Sequence, residues 1–211
     1  MNPIASRAMT GPALLALGAI AIVPVETGAQ DWILGGAVGS AKQQDYDVGA
    51  PIATREDTDA AFRLFGGYLV SPMQGIVASY VDLGAPRYDG PAFGGFADSL
   101  EAYGFDLSYV AGWAPGEQQR VSLFGTVGIF HWNQDVTLTD ASGTLEFADD
   151  GTSFSAGFGA DIGLSADGPN AWSIHVAYQL FKDVGEAENS GHEYDRELLS
   201  VGVDYRFGRR E

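Results

Sequence analysis

From Leu199 to Phe207, apolar and polar side chains alternate with period two. Leu199, Val201, Val203, Tyr205 and Phe207 take the odd positions; Ser200, Gly202, Asp204 and Arg206 take the even ones. Successive side chains of a β-strand point to opposite faces, so Glu197 to Phe207 predicts a strand with one wholly apolar face and one small or charged face. Seven earlier segments read the same way. The first, Asp31 to Ala41, sets Trp32, Leu34, Gly36 and Val38 against Ile33, Gly35, Ala37 and Gly39. The second, Ala60 to Val70, groups Phe62, Leu64, Tyr68 and Val70, with Arg63 on the other face. The third, Gly75 to Gly84, has the weakest pattern: Ile76, Ala78 and Tyr80 oppose Val77, Ser79, Val81 and Leu83, and Asp82 falls on the apolar side.

The fourth, Glu101 to Trp113, collects Tyr103, Phe105, Leu107, Tyr109 and Trp113 opposite Gly104, Asp106, Ser108 and Gly112. The fifth has Val121, Leu123, Val127 and Ile129 against Ser122, Phe124, Thr126 and Gly128. The sixth has Phe154, Phe158, Ala160, Ile162 and Leu164 against Ser155, Gly157, Gly159, Asp161 and Gly163. The seventh pairs Trp172, Ile174, Val176, Tyr178 and Leu180 with Ser173, His175, Ala177 and Gln179.

Between these strands the connections alternate in length. Tight turns are expected at Ser71-Pro72-Met73-Gln74, Ala114 to Gln118 and Asp167-Gly168-Pro169-Asn170. Loops are expected at Gln43 to Asp59, Ala85 to Ser99, Asp135 to Thr152 and Asp183 to Arg196. Short turns at one end and long loops at the other are the asymmetry of a membrane barrel. The faces opposite the apolar ones carry mostly Gly, Ala, Ser and Thr, which suits the narrow lumen of eight strands. A soluble barrel of the lipocalin type would have to pack Tyr103, Phe105, Tyr109, Trp113, Phe158, Trp172 and Tyr178 inside and line its surface with glycine. The pattern therefore predicts an all-β, eight-stranded antiparallel up-and-down transmembrane β-barrel, its greasy face in lipid.

Composition sharpens this. The chain has 211 residues, 18% of them charged, with 29 glycines and no cysteine. The lack of cysteine excludes disulfides and thiolate metal sites, and a net charge of −17 excludes the basic face that nucleic acid requires. Residues 1–29 read as a signal peptide: Arg7, an apolar run from Ala13 to Val25, then Thr27-Gly28-Ala29 with small residues for cleavage. That run is too short to span a bilayer as a helix, which takes about 20 residues. Residues 30–208 form the expected barrel, and 209–211 a short C-terminal tail.

The segments Phe65-Gly66-Gly67-Tyr68-Leu69-Val70-Ser71-Pro72, Tyr80-Val81-Asp82-Leu83-Gly84 and Leu199 to Gly208, with Trp32 and Ala177-Tyr178-Gln179, resemble the transmembrane domain of the outer-membrane protein A (OmpA) family. The resemblance covers residues 30 to 208. It implies an outer-membrane location in a Gram-negative bacterium, outer-membrane lipids and lipopolysaccharide as surroundings, a monomer, and insertion by the barrel-assembly machinery. Tyr205 and Phe207 then stand where that machinery reads its signal. Full-length members also carry a peptidoglycan-binding domain; none follows Glu211, so wall anchoring is not expected to transfer. Family barrels hold an interior network of carboxylates with Lys and Arg. Its positions here correspond to Val77 and Val110, and to Asp161 and His175.

Parity turns Asp161 and His175 away from lipid, each about five residues from the Ala166 to Asn170 turn. Hairpin counting can place them opposite one another, and an interior Asp161–His175 contact is expected. Arg63 and Asp106 are expected higher in the barrel, meeting across the lumen. Ser173, His175 and Asp161 are the nearby candidates for a hydrolytic constellation. Lipid A deacylases, which are also eight-stranded barrels, use a His-x-Ser order. Here Ser173-Ile174-His175 reverses it, on a face turned from lipid, and no enzyme activity is expected. Asp149, Asp150, Glu186, Glu188, Glu193 and Asp195 offer oxygen ligands for Ca²⁺ or Mg²⁺ but lack calcium-loop spacing, so solvated loops are expected and no cofactor or metal. The reading is a small non-enzymatic outer-membrane barrel supporting envelope integrity or surface interactions through acidic loops. The alternatives are a narrow porin-like channel and, behind it, a lipid hydrolase.

Overall fold

A computed structural model describes residues 29–44, 54–71, 73–90, 96–114, 120–140, 143–164, 171–185 and 194–210. The strands are β1 (Ala29–Gln43), β2 (Thr54–Glu56), β3 (Thr58–Ser71), β4 (Gln74–Asp82), β5 (Arg87–Gly90), β6 (Phe96–Trp113), β7 (Val121–Asp140), β8 (Gly143–Gly163), β9 (Ala171–Val184) and β10 (Tyr194–Arg210). Eight of them close a ring in the order β6-β4-β3-β1-β10-β9-β8-β7, with β7 returning to β6. Every neighbouring pair is antiparallel, and β1 joins β10 along its whole length, from Ala29↔Arg210 to Gln43↔Arg196. The architecture is a closed up-and-down barrel. β10 runs through Gly208 and Arg209 to Arg210, farther than the barrel limit expected from the sequence.

The outward face is the apolar one. Val38 and Phe158 are each 65% bare, an arrangement that stabilises a strand only when hydrocarbon surrounds it. Aromatic pairs gather near the ends of the apolar band: Trp32 with Tyr68 at 5.1 Å and Trp172 with Tyr205 at 4.8 Å toward the turns. Tyr80 with Phe105 at 5.5 Å lies toward the loops. Outward positions become polar where the band ends: Ile129 gives way to His131, Asn133 and Asp135, and Leu199 to Glu197. Asp82, the outward charge of the weakest strand, sits at that edge and turns the chain. Its Oδ1 accepts the Gly84 N–H at 2.9 Å, and Gly84 has φ of 69°, the left-handed region in which glycine is unstrained.

All four expected loops contain strand, Asp183 to Arg196 only at its ends, where β9 runs to Val184 and β10 starts at Tyr194. Gln43 to Asp59 holds β2, and Ala85 to Ser99 holds β5 and the start of β6. β2 pairs with β5, and β5 with the outer end of β6 through Arg87↔Ser99. The larger correction is Asp135 to Thr152. There β7 and β8 continue as a paired hairpin as far as Asp140↔Gly143, placing Asp149 and Asp150 on strand opposite Gln134 and Asn133. Residues 143–148 are exposed on both faces; beyond the lipid nothing demands alternation, so the composition reads as loop while the backbone still pairs. Val136, Thr137 and Thr139 carried the β-branched signal. At about 3.3 Å per residue, the hairpin runs roughly 30 Å along the strand direction past the band. The turns at 115–119 and 165–170 and the segment 1–28 lie outside the described residues.

The lumen is not filled mainly by small side chains. Ile33, Phe65, Leu69 and Val77 pack one apolar layer at the turn end. Val81, Leu83, Phe130, Trp132, Phe181 and Leu198 belong to a second, toward the loop end. Glycine is what makes room for the rings. A Cβ on Gly35 would stand 2.4 Å from Phe65 Cζ, and one on Gly159 would stand 2.4 Å from Phe124 Cζ. Reading each strand alone finds the glycines and the inward Phe124, but not which ring lies over which glycine.

The sidedness yields a graded prediction. Val201 pairs with Val38 and Val176 in the middle of the apolar band. Val201→Arg should lower folding stability by roughly 2–4 kcal/mol, and arginine at outward His131 by no more than about 1 kcal/mol. Urea titration in lipid vesicles measures both; equal costs would contradict the placement of lipid.

Candidate functional site in the barrel interior

Between the two apolar layers lies a polar belt in two parts. Toward the loop end, β3 supplies Arg63, β4 Ser79, β6 Asp106 and Ser108, and β8 Ser155, all inward by strand parity and all buried. Arg63 Nε and Nη2 donate to Ser79 Oγ at 2.9 and 2.7 Å, and Arg63 Nη2 stands 3.9 Å from Asp106 Oδ2. Asp106 accepts from Ser108 Oγ at 2.7 Å and from Ser155 Oγ at 2.5 Å. The guanidinium also lies 5.3 Å from the Phe65 ring centroid. This part of the belt is compensated: one buried cation, one buried carboxylate, and hydroxyls that complete the acceptor's shell.

Toward the turn end, β8 and β9 bring Asp161 opposite His175. His175 Nδ1 lies 2.7 Å from Asp161 Oδ1; the carboxylate is an acceptor, so this ring nitrogen carries the proton and donates. The imidazole is held between Phe124, stacked at 5.1 Å and 14°, and Phe65 at 5.0 Å. A third group enters from β10. Asp204 faces Ser173 across the β9–β10 pair, two residues along from the His175↔Gly202 pair. It is fully buried. Neither Asp204 oxygen, nor His175 Nε2, closes a hydrogen bond of good geometry, although the Ser173 hydroxyl stands near the Asp204 carboxylate.

The four interior residues singled out from sequence thus lie in the lumen, Asp161 with His175 and Arg63 facing Asp106. Asp204 was missed. Parity on the last strand places it inward, but only the register of β10 on β9 brings it beside His175. Arg196 was missed too: it is fully buried and Nη2 donates to the Leu100 carbonyl at 3.0 Å, tying β10 to β6 across the loop end.

The chemistry of acyl transfer needs Ser173 on the imidazole. His175 spends Nδ1 on Asp161, and Nε2 meets no hydroxyl. Ser173 is a strand neighbour of His175, buried in the lumen and away from lipid. Tyr205 and Phe207 sit on the opposite, outward face near the end of β10, their rings stacked at 5.9 Å. Of the acidic candidates for loop cation binding, Asp195 is on β10 and ion-paired with Lys182. Glu186, Glu188 and Glu193 lie outside the described residues.

The family model of the OmpA-like transmembrane domain matches residues 27–211. Outer membrane protein A of Shigella flexneri is 27% identical over 180 residues, which is 85% of this chain and 49% of that protein. Outer membrane protein A of Yersinia pseudotuberculosis is 29% identical over 204 residues, 92% of this chain and 55% of that protein. The chain spans about half the length of the curated relatives it matches. Among solved structures, the attachment invasion locus protein Ail of Yersinia pestis superposes with a TM-score of 0.50 at 16% identity, covering 85% of this chain and 99% of Ail. The N-terminal β-barrel domain of Pseudomonas aeruginosa OprF does so with 0.50 at 12% identity, covering 85% and 99%. These two share the barrel fold. With its closed eight-stranded ring and lipid-facing band, the chain belongs to the OmpA-like transmembrane domain family, barrels of the Gram-negative outer membrane.

Proposed function

We propose that this barrel is a non-enzymatic envelope protein that contributes to outer-membrane integrity and presents surface-interaction elements beyond its outer rim. The observation that carries the reading is the filled lumen. Phe130, Phe181, Leu100, Leu198 and Arg196 are fully buried toward the loop end, and Phe65, Leu69 and Val77 close the turn end. A plugged eight-stranded tube leaves little for solutes to cross, so the exposed hairpin of β7 and β8 and the β2–β5 pair are the parts free to act.

The hairpin is rich in acid, with Asp135, Glu146 and Asp150 exposed on it, whereas the sequence of the β2–β5 pair balances Arg55 and Arg87 against Glu56 and Asp89. Ail has been crystallised with the heparin analogue sucrose octasulfate. A chain of net charge −17 repels such a polyanion, and the partner that fits this surface is a basic one. Lipopolysaccharide and phospholipid surround the apolar band, Tyr205 and Phe207 offer the terminal aromatic pattern to the barrel-assembly machinery, and the barrel works as a monomer. The interior ion pair serves packing in this reading rather than gating.

Two measurements test it. In planar bilayers the folded chain should give no stepwise single-channel currents; regular conductance steps would instead establish the narrow channel. Arg63→Met should cost about 3–5 kcal/mol of folding stability, because it strands Asp106 in the lumen, whereas Arg63→Met with Asp106→Leu should recover most of the loss. A single variant that stays stable but conducts would make the pair a gate.

A further inference from the structure

We propose that Asp161, His175 and Asp204 form a divalent transition-metal site inside the barrel, with Zn²⁺ the ion that their chemistry suits. One ligand atom from each residue lies within 4.8 Å of those of the other two; for Asp161 to join Asp204 on an ion at His175 it gives up its hydrogen bond with Nδ1–H, the ion taking the place of a proton. The donors come from three adjacent strands, β8, β9 and β10, so the sheet itself holds them together. The site is open on the side where it matters. His175 is 6% exposed and Asp204 0%, yet His175 Nε2 and both Asp204 oxygens close no hydrogen bond of good geometry, with only the Ser173 hydroxyl standing near the Asp204 carboxylate. Buried polar groups left in that state cost free energy, unless something binds them.

The room is there as well. Asp161 and His175, though not Asp204, line a cavity of about 50 Å³ that extends past Met73 and Gly112 at the turn end, enough for a water bound to an ion at its edge. Gly202, opposite His175, puts no side chain over the imidazole. Phe65 and Phe124 fix the ring between them, as ligand histidines are fixed by their surroundings. One imidazole and two carboxylates form a mixed N/O set, which suits Zn²⁺ and its neighbours in the first transition row. Ca²⁺ takes six to eight oxygens, and the cluster offers too few. Arg63 and Arg206 line the same cavity. Arg63 is committed to Ser79 and faces Asp106, leaving the two carboxylates of the cluster to share an imidazole and Arg206.

The test uses the full chain folded in detergent micelles and freed of metal by chelation. Equilibrium dialysis against ZnCl₂ should give one tightly held Zn²⁺ per barrel, and added Zn²⁺ should raise the urea midpoint of unfolding in proportion to the logarithm of its concentration. Co²⁺ in its place should show the intense visible absorption of a four-coordinate ion. Asp161→Asn and Asp204→Asn keep shape and remove charge. Each should weaken Zn²⁺ binding by more than about 100-fold, beyond the loss caused by an outer-shell partner. His175→Phe should abolish the Co²⁺ spectrum. Zn²⁺ retained equally by folded Asp161→Asn and Asp204→Asn barrels would place the metal on exposed acids and overturn the site. So would a wild-type midpoint indifferent to Zn²⁺, which would mean that the three groups merely share a proton.

Discussion

A backbone N–H or C=O in hydrocarbon has no water to turn to, and a sheet persists there only if its two edges meet. In this chain the first strand and the last one meet, β1 along β10 from Ala29↔Arg210 to Gln43↔Arg196. That seam fixes more than closure. A slip of one residue would exchange the faces of β10, carrying Asp204 and Arg206 into lipid and Val203 and Tyr205 into the lumen. The cost of an ion in hydrocarbon therefore enforces the register as firmly as the hydrogen bonds do.

Closure at eight strands also sets the volume to be filled. The barrel fills it in layers: rings and aliphatic groups at both ends, ions and hydroxyls between. Glycine and aromatic positions are complementary, as where Phe65 lies over Gly35 and Phe124 over Gly159. The ionic layer is uneven. Arg63 and Asp106 sit among hydroxyls that complete their hydrogen bonds, whereas Asp161, His175 and Asp204 bring two carboxylates to one imidazole and leave acceptor positions unused. The first arrangement is packing chemistry. The second has ligand chemistry.

Beyond the band the rules change. Water satisfies the backbone on either face, so β7 and β8 keep pairing without needing an apolar side, and the paired strands continue past the wall into water. The same relaxation explains why composition reads this stretch as loop. Pairing and polarity are independent once lipid is absent.

The fold was legible from the chain because lipid imposes period two on every strand that crosses it; the outward sets from Trp32–Val38 to Leu199–Phe207 need no neighbour to be recognised. Asp161 and His175 were legible for a similar reason, since a short hairpin makes their pairing a matter of counting. Asp204 beside His175, the buried Arg196 reaching Leu100, and which glycine each interior ring covers were not. Each depends on which strands lie side by side and how far each is shifted, and those shifts are settled only when the whole ring closes. The alternation along the chain thus determined that there is a barrel and which way it faces. Tertiary structure alone decided what meets inside it, because contacts across a lumen join residues whose separation in sequence carries no periodic signal.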